Sequence, residues 1–189
     1  MVGSNGWIGN WSPGIGDPTL IGWVTVWLYM LSAWLCYRVI SLEYDLREAL
    51  EPEEKLLWWM FVAGLVLLGV NKQLDLQSAL TAMGRMIAAY QGWYESRREV
   101  QVWFIKAVGF LAVVMGLLMA FLVRRTTLAT RISVVGCVLL LAFVFIRAAS
   151  FHHFDLLINH RVGGVRLNWV FEIGGLMIIG LGARLRTRI

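Results

Sequence analysis

The sequence is short of charge. Aspartate, glutamate, lysine and arginine make up 15% of 189 residues, against about 25% in soluble domains. It is also short of proline, with Pro13, Pro18 and Pro52 alone, so no Pro-rich spacer divides it into domains. Cysteine is confined to Cys36 and Cys137, both inside apolar runs and without a CxxC partner, and both read as small apolar residues. HExxH, HxxxH, a Walker loop and a dinucleotide fingerprint are all missing, which leaves no motif specific enough to name a family. The segment Met1–Pro18 has no Lys, no Arg and no apolar core, so it does not read as a cleavable signal peptide.

What is present is apolar residues, 59% of the chain, gathered into runs with charges between them. That pattern predicts an all-α, polytopic integral membrane bundle in a single domain, residues 1–189, of about five transmembrane helices and one interfacial amphipathic helix. The spans are expected at roughly 19–40, 55–75, 102–123, 131–158 and 167–184. The net charge of +5 does not point to nucleic acid, because the basic residues cap apolar runs and form no continuous stripe. The partners expected are membrane lipids and other membrane protein subunits.

Two runs, Leu56–Val70 and Ile132–Ile146, hold fifteen uncharged residues each. A helix of that length covers about 22 Å, less than a hydrocarbon core of about 30 Å. Each must therefore continue into the polar residues after it: Asn71, Lys72, Gln73 and Asp75 in one case, Arg147, Ser150, His152, His153 and Asp155 in the other. Glu51-Pro52-Glu53-Glu54 reads as a helix start, with proline in the first turn and carboxylates at the positive end of the dipole. Residues 76–91 place Leu76, Leu80, Met83, Ile87 and Tyr90 at helical spacing, which predicts a helix lying on the membrane surface or packed on the loops.

Alternation of the spans gathers Lys72, Asp75, Lys106, Arg147–Asp155 and Glu172 at one face of the membrane. The basic C-terminal tail and the N-terminal tail without basic residues favour N-terminus outside and C-terminus cytoplasmic, in a bacterial inner membrane. An outer-leaflet polar network is thus expected from Lys72, Asp75, Lys106, Arg147, Ser150, His152, His153, Asp155, Arg161, Arg166 and Glu172. Lys72–Asp75 and Arg147–Glu172 are the expected pairings, and no comparable charge is expected at the inner ends. Each feature has a plainer explanation. Lys72 and Arg147 can snorkel to the interface, His152-His153 can be an interfacial doublet, and Trp is an ordinary interfacial residue. Gly116 with Ala120, and Gly174, Gly175, Gly180 and Gly182, are expected to allow close helix contact.

Three functions compete. A non-catalytic subunit would use the outer cluster to bind a partner, a lipid headgroup or another anionic group. A membrane-embedded hydrolase or transferase would use Asp75, His152, His153 and Glu172 as acid, base or metal ligands. A small transporter or proton pathway would use the same groups.

Overall fold

The computed structural model describes residues 6–8, 11–43, 49–92, 97–149, 161–162 and 165–188. Among the described residues six α-helices carry the fold: α1 (Leu20–Ser41), α2 (Pro52–Leu74), α3 (Leu76–Tyr90), α4 (Arg97–Leu122), α5 (Leu128–Ala149) and α6 (Leu167–Arg186). One short antiparallel ladder, Arg161–Val162 with Val165–Arg166, precedes α6. Among the described residues one helix, Leu20–Ser41, is long and apolar enough to cross a membrane, and Leu128–Val144 is a shorter apolar stretch.

The helix ends follow from local chemistry. Asp17 accepts from the hydroxyl of Thr19 at 2.6 Å, and Thr19 in turn accepts from the Gly22 N–H at 3.0 Å, satisfying a free donor at the start of α1. At the start of α2, Glu51 is the N-cap, Pro52 opens the helix, and Glu53 and Glu54 occupy the first turn, as the sequence predicts. The expected continuation through Asp75 stops one residue early. Asp75 adopts a left-handed backbone, φ 46°, which ends α2 at Leu74 and turns the chain into α3. Aspartate tolerates this conformation better than most residues with a side chain. The Gly16 N–H reaches over to cap the Gln73 carbonyl at 2.6 Å, so the N-terminal segment is fastened to this corner.

The long helices run alternately up and down. In space α1 packs between α2 and α6, α6 packs between α1 and α5, and α4 leans on α5 and on α2. Glycines sit in two of these contacts, and at α5–α6 they bring backbone against backbone. At α1–α2, Gly69 lies against Tyr29 and Met30. At α5–α6, Gly136 faces Gly175 across the interface, and Gly182 faces Ala129 and Ser133. Gly180 faces Leu35 and Ser32 on α1, whereas Gly116 and Gly174 face open space. Close approach therefore runs through Gly136, Gly175 and Gly182, and the expected role of Gly116 and Gly174 in it is corrected. The core comprises Tyr29, Cys36, Val39, Leu57, Trp58, Phe61, Leu65, Leu140, Phe143, Leu176 and Ile179.

Candidate functional site: two buried ion-pair nodes

Glu172 is the polar residue hardest to place in an apolar run, and the structure gives it two partners. It lies in the second turn of α6 with 2% of its surface exposed. The Lys72 Nζ donates to both carboxylate oxygens, at 3.0 and 2.9 Å, and the Tyr29 hydroxyl donates to Oε1 at 3.2 Å. Three helices, α1, α2 and α6, thus meet at one charge-assisted node. The bifurcated ammonium contact and the phenol occupy lone pairs that would otherwise be buried without partners.

A second node sits at the opposite end of α6. Glu54, in the first turn of α2, receives Arg186 Nε on Oε1 at 2.9 Å and a longer Nη2 contact on Oε2 at 3.5 Å. Arg186 Nη2 also reaches the Ala49 carbonyl at 3.5 Å. On α5, the Thr130 hydroxyl makes a short hydrogen bond to Glu54 Oε1, and Thr127 donates to the same oxygen at 3.4 Å. Arg186 is fully buried and Glu54 is 2% exposed. The sequence expectation that the inner ends carry no comparable charge is overturned here. The two nodes lie at opposite ends of the bundle, and both tie α2 to α6.

Between the nodes, hydroxyls bind helix to helix. Ser32 on α1 donates to the Leu176 carbonyl at 3.2 Å, and Ser133 on α5 donates to the Ile179 carbonyl at 3.1 Å. Both carbonyls belong to α6, which thus offers the bundle polar side chains at 172 and 186 and backbone acceptors at 176 and 179. These bonds add direct polar ties to the apolar packing of the same helices.

The expected pairings need correction. Lys72 pairs with Glu172 and not with Asp75, because the left-handed backbone at 75 takes Asp75 off the α2 helix, so the three-residue spacing no longer puts the two on one face. Among the described residues Asp75 forms no ion pair. The acid that Arg147 was expected to neutralise is already held by Lys72. Arg147 falls in the last turn of α5, and its side chain lies outside what the structure describes. Lys106 is not brought to the node; it is exposed on α4, with Nζ 4.9 Å from the centre of the Trp103 ring. Arg161 and Arg166 are direct partners across the two-residue ladder. Ser150, His152, His153 and Asp155 lie outside the described residues. Among the described residues no three His, Cys, Asp or Glu side chains gather as a metal site.

No family model, no curated protein and no solved structure matches the chain. Its chemistry rests on its own residues.

Replacing Glu172 by alanine leaves the Lys72 ammonium buried without its carboxylate. Removing one partner of a buried pair costs about 3–5 kcal/mol. The melting temperature of Glu172→Ala in detergent is expected to fall clearly more than that of Leu117→Ala, a truncation on an exposed face of α4. An equal fall in the two variants would show that Glu172 is solvated.

Proposed function

We propose that the chain is a non-catalytic polytopic membrane protein, a subunit or interaction partner in a membrane complex. One observation carries this reading: the outward faces of the helices are covered by large apolar side chains, while the few charges inside the mostly apolar core are paired with one another. The interior holds Glu54, Glu172, Arg186, Thr25, Thr130, Ser32 and Ser133. The outside carries the large apolar side chains. Trp23, Trp27, Leu31 and Trp34 form an exposed stripe on α1, Trp59, Val66, Leu67 and Val70 on α2, and Val170, Met177 and Leu181 on α6. Phe110, Leu111, Val113, Leu117 and Phe121 leave α4 exposed on several sides. Trp27 and Phe110 are each 72% exposed, in an arrangement that water would penalise heavily. Lipid accepts such a surface, and it requires buried charges to be paired within the bundle, as both nodes are.

On this reading α1, α2, α4, α5 and α6 cross the bilayer. In length alone, 22, 23, 26, 22 and 20 residues give roughly 30–39 Å of helix, enough for a hydrocarbon core of about 30 Å. The helix α1 is also apolar enough by composition, and the other four, Lys106 on α4 apart, carry their charges near the ends or in the two nodes. The helix α3, with Met83, Met86 and Ile87 exposed, lies at the interface. A catalytic role is disfavoured because both buried carboxylates are committed to cations and hydroxyls, which leaves neither as a ready base or nucleophile.

Tags at the two ends of the chain in sealed vesicles are expected to be accessible from opposite sides. Accessibility from the same side would overturn the five-span arrangement. Purification in a mild detergent is expected to retain a stoichiometric protein partner. Proton flux in liposomes containing the chain alone would replace this reading with a pathway through the same carboxylates.

A further inference from the structure

The corner between α2 and α3 holds a cleft of about 340 Å³, covered on one side by the N-terminal segment. Its lining includes Trp11, Ser12, Gly16, Asp75, Ser78 and Arg85. The segment is tied to the corner by the Gly16–Gln73 hydrogen bond at 2.6 Å, and within it the Ile8–Trp11 bridge folds the stretch that carries Trp11 into a turn. Asp75 and Arg85 line the same space, yet no ion pair joins them, and neither pairs elsewhere among the described residues. Asp75 is also the N-cap of α3, but its side chain makes no cap hydrogen bond, so the carboxylate is left uncommitted.

We infer that this cleft binds the zwitterionic headgroup of a phospholipid, a phosphodiester joined to an ammonium group, as in phosphatidylethanolamine. This rests on the membrane reading above and names the lipid class of the outer polar end. A lone anion in the cleft would meet the Asp75 carboxylate, and a lone cation would meet the Arg85 guanidinium. A guest carrying both charges a few ångströms apart satisfies both walls. Arg85 suits the phosphate. Asp75 and the Trp11 ring suit the ammonium. The volume falls within the range of small-molecule sites, about 300–1,000 Å³. A lipid, rather than a soluble zwitterion, is indicated by the rim. Ile15 and Leu74 line the cleft and are also exposed, which gives acyl chains an apolar path away from the headgroup.

Native mass spectrometry of the purified full-length chain tests this, titrating phosphatidylethanolamine against phosphatidylglycerol with identical acyl chains. Phosphatidylethanolamine is expected to bind about tenfold tighter, the equivalent of one charge-assisted hydrogen bond. Asp75→Asn is expected to abolish the preference, and Arg85→Gln to weaken both lipids. Asparagine tolerates the left-handed backbone at 75 as aspartate does, and Arg85 is exposed, so both variants are expected to keep the wild-type melting temperature. Equal binding of the two lipids by the wild-type chain, or a preference that survives both substitutions, would overturn the inference. Competition by soluble phosphoethanolamine as effective as by the intact lipid would overturn the lipid as its source. The tag experiment on the same material separates the two failures. Tags on one side defeat the membrane reading, whereas tags on opposite sides without lipid discrimination defeat only the cleft.

Discussion

Glu54→Ala is expected to be the most damaging single truncation in the protein, lowering its unfolding free energy by about 3–5 kcal/mol. The reason is the environment of Arg186. The guanidinium is fully buried, and Glu54, equally buried, forms an ion pair with it. Without that carboxylate the buried guanidinium loses its contacts to both Glu54 oxygens, and Thr130 and Thr127 lose their acceptor. Glu54→Gln keeps the volume and one carbonyl acceptor, so its loss is expected to be smaller than that of alanine. The double variant Glu54→Leu/Arg186→Met removes both charges and keeps the packing. It is expected to recover most of the stability, since apolar pairs of similar volume often match or exceed a buried ion pair. Denaturant unfolding in detergent measures all three. A loss at Glu54→Ala no larger than at Glu51→Ala, on the exposed N-cap residue three positions earlier, would refute the assignment.

The glycines supply the second large effect, and here the expected sign changes with position. A Cβ added at Gly136 would lie 2.7 Å from the Gly175 carbonyl oxygen and 2.8 Å from the Ile179 nitrogen. One added at Gly182 would lie 2.6 Å from the Ala129 carbonyl oxygen. These neighbours are backbone atoms and cannot swing aside, so the helices α5 and α6 must separate. Overpacking typically costs about 1–3 kcal/mol. Gly136→Val and Gly182→Val are expected at or above the top of that range, because separating the helices also lengthens the Ser133–Ile179 hydrogen bond. At Gly116 and Gly174 a Cβ meets nothing within 4 Å. Alanine there is expected to be neutral or stabilising by up to about 1 kcal/mol, through helix propensity alone. Thermal melts of the four variants check the pattern. A uniform response would show that the α5–α6 contact is looser than the structure has it.

Much of the helical framework can be read from the sequence, because helix boundaries are set locally. Pro52 with its flanking carboxylates marks a start, and the spacing of Leu76, Met83 and Ile87 marks the separate helix α3. The burial of Glu172 against a basic partner is legible for a related reason: a carboxylate inside an apolar run has few other options. The identity of the partner is not legible. It depends on where Asp75 turns the chain and on which helices become neighbours, and both are tertiary facts. The Glu54–Arg186 node is harder still. Glu54 stands beside Glu51 and Glu53, and Arg186 stands between Arg184 and Arg188, so composition marks neither. Periodicity carries a signal that could have found them. Glu54 shares a helix face with Leu57, Phe61 and Leu65, all buried, and Arg186 shares one with Ala183, Ile179 and Leu176.

The placement of the two ion pairs also bears on how the chain reaches its fold. Glu54 and Lys72 are eighteen positions apart on α2, five helical turns, and so lie on the same face. Glu172 and Arg186 are fourteen apart on α6, close to four turns. One helix therefore reads acid then base along the chain, and so does the other, and opposite charges meet only when the helices run antiparallel. If α6 entered in the reverse direction, Glu172 would face Glu54 and Arg186 would face Lys72, at both ends at once. That state is penalised by repulsion as well as by lost attraction. The four charges thus act as a direction code for the docking of α6 on α2, rejecting an inverted copy whose apolar face would pack equally well.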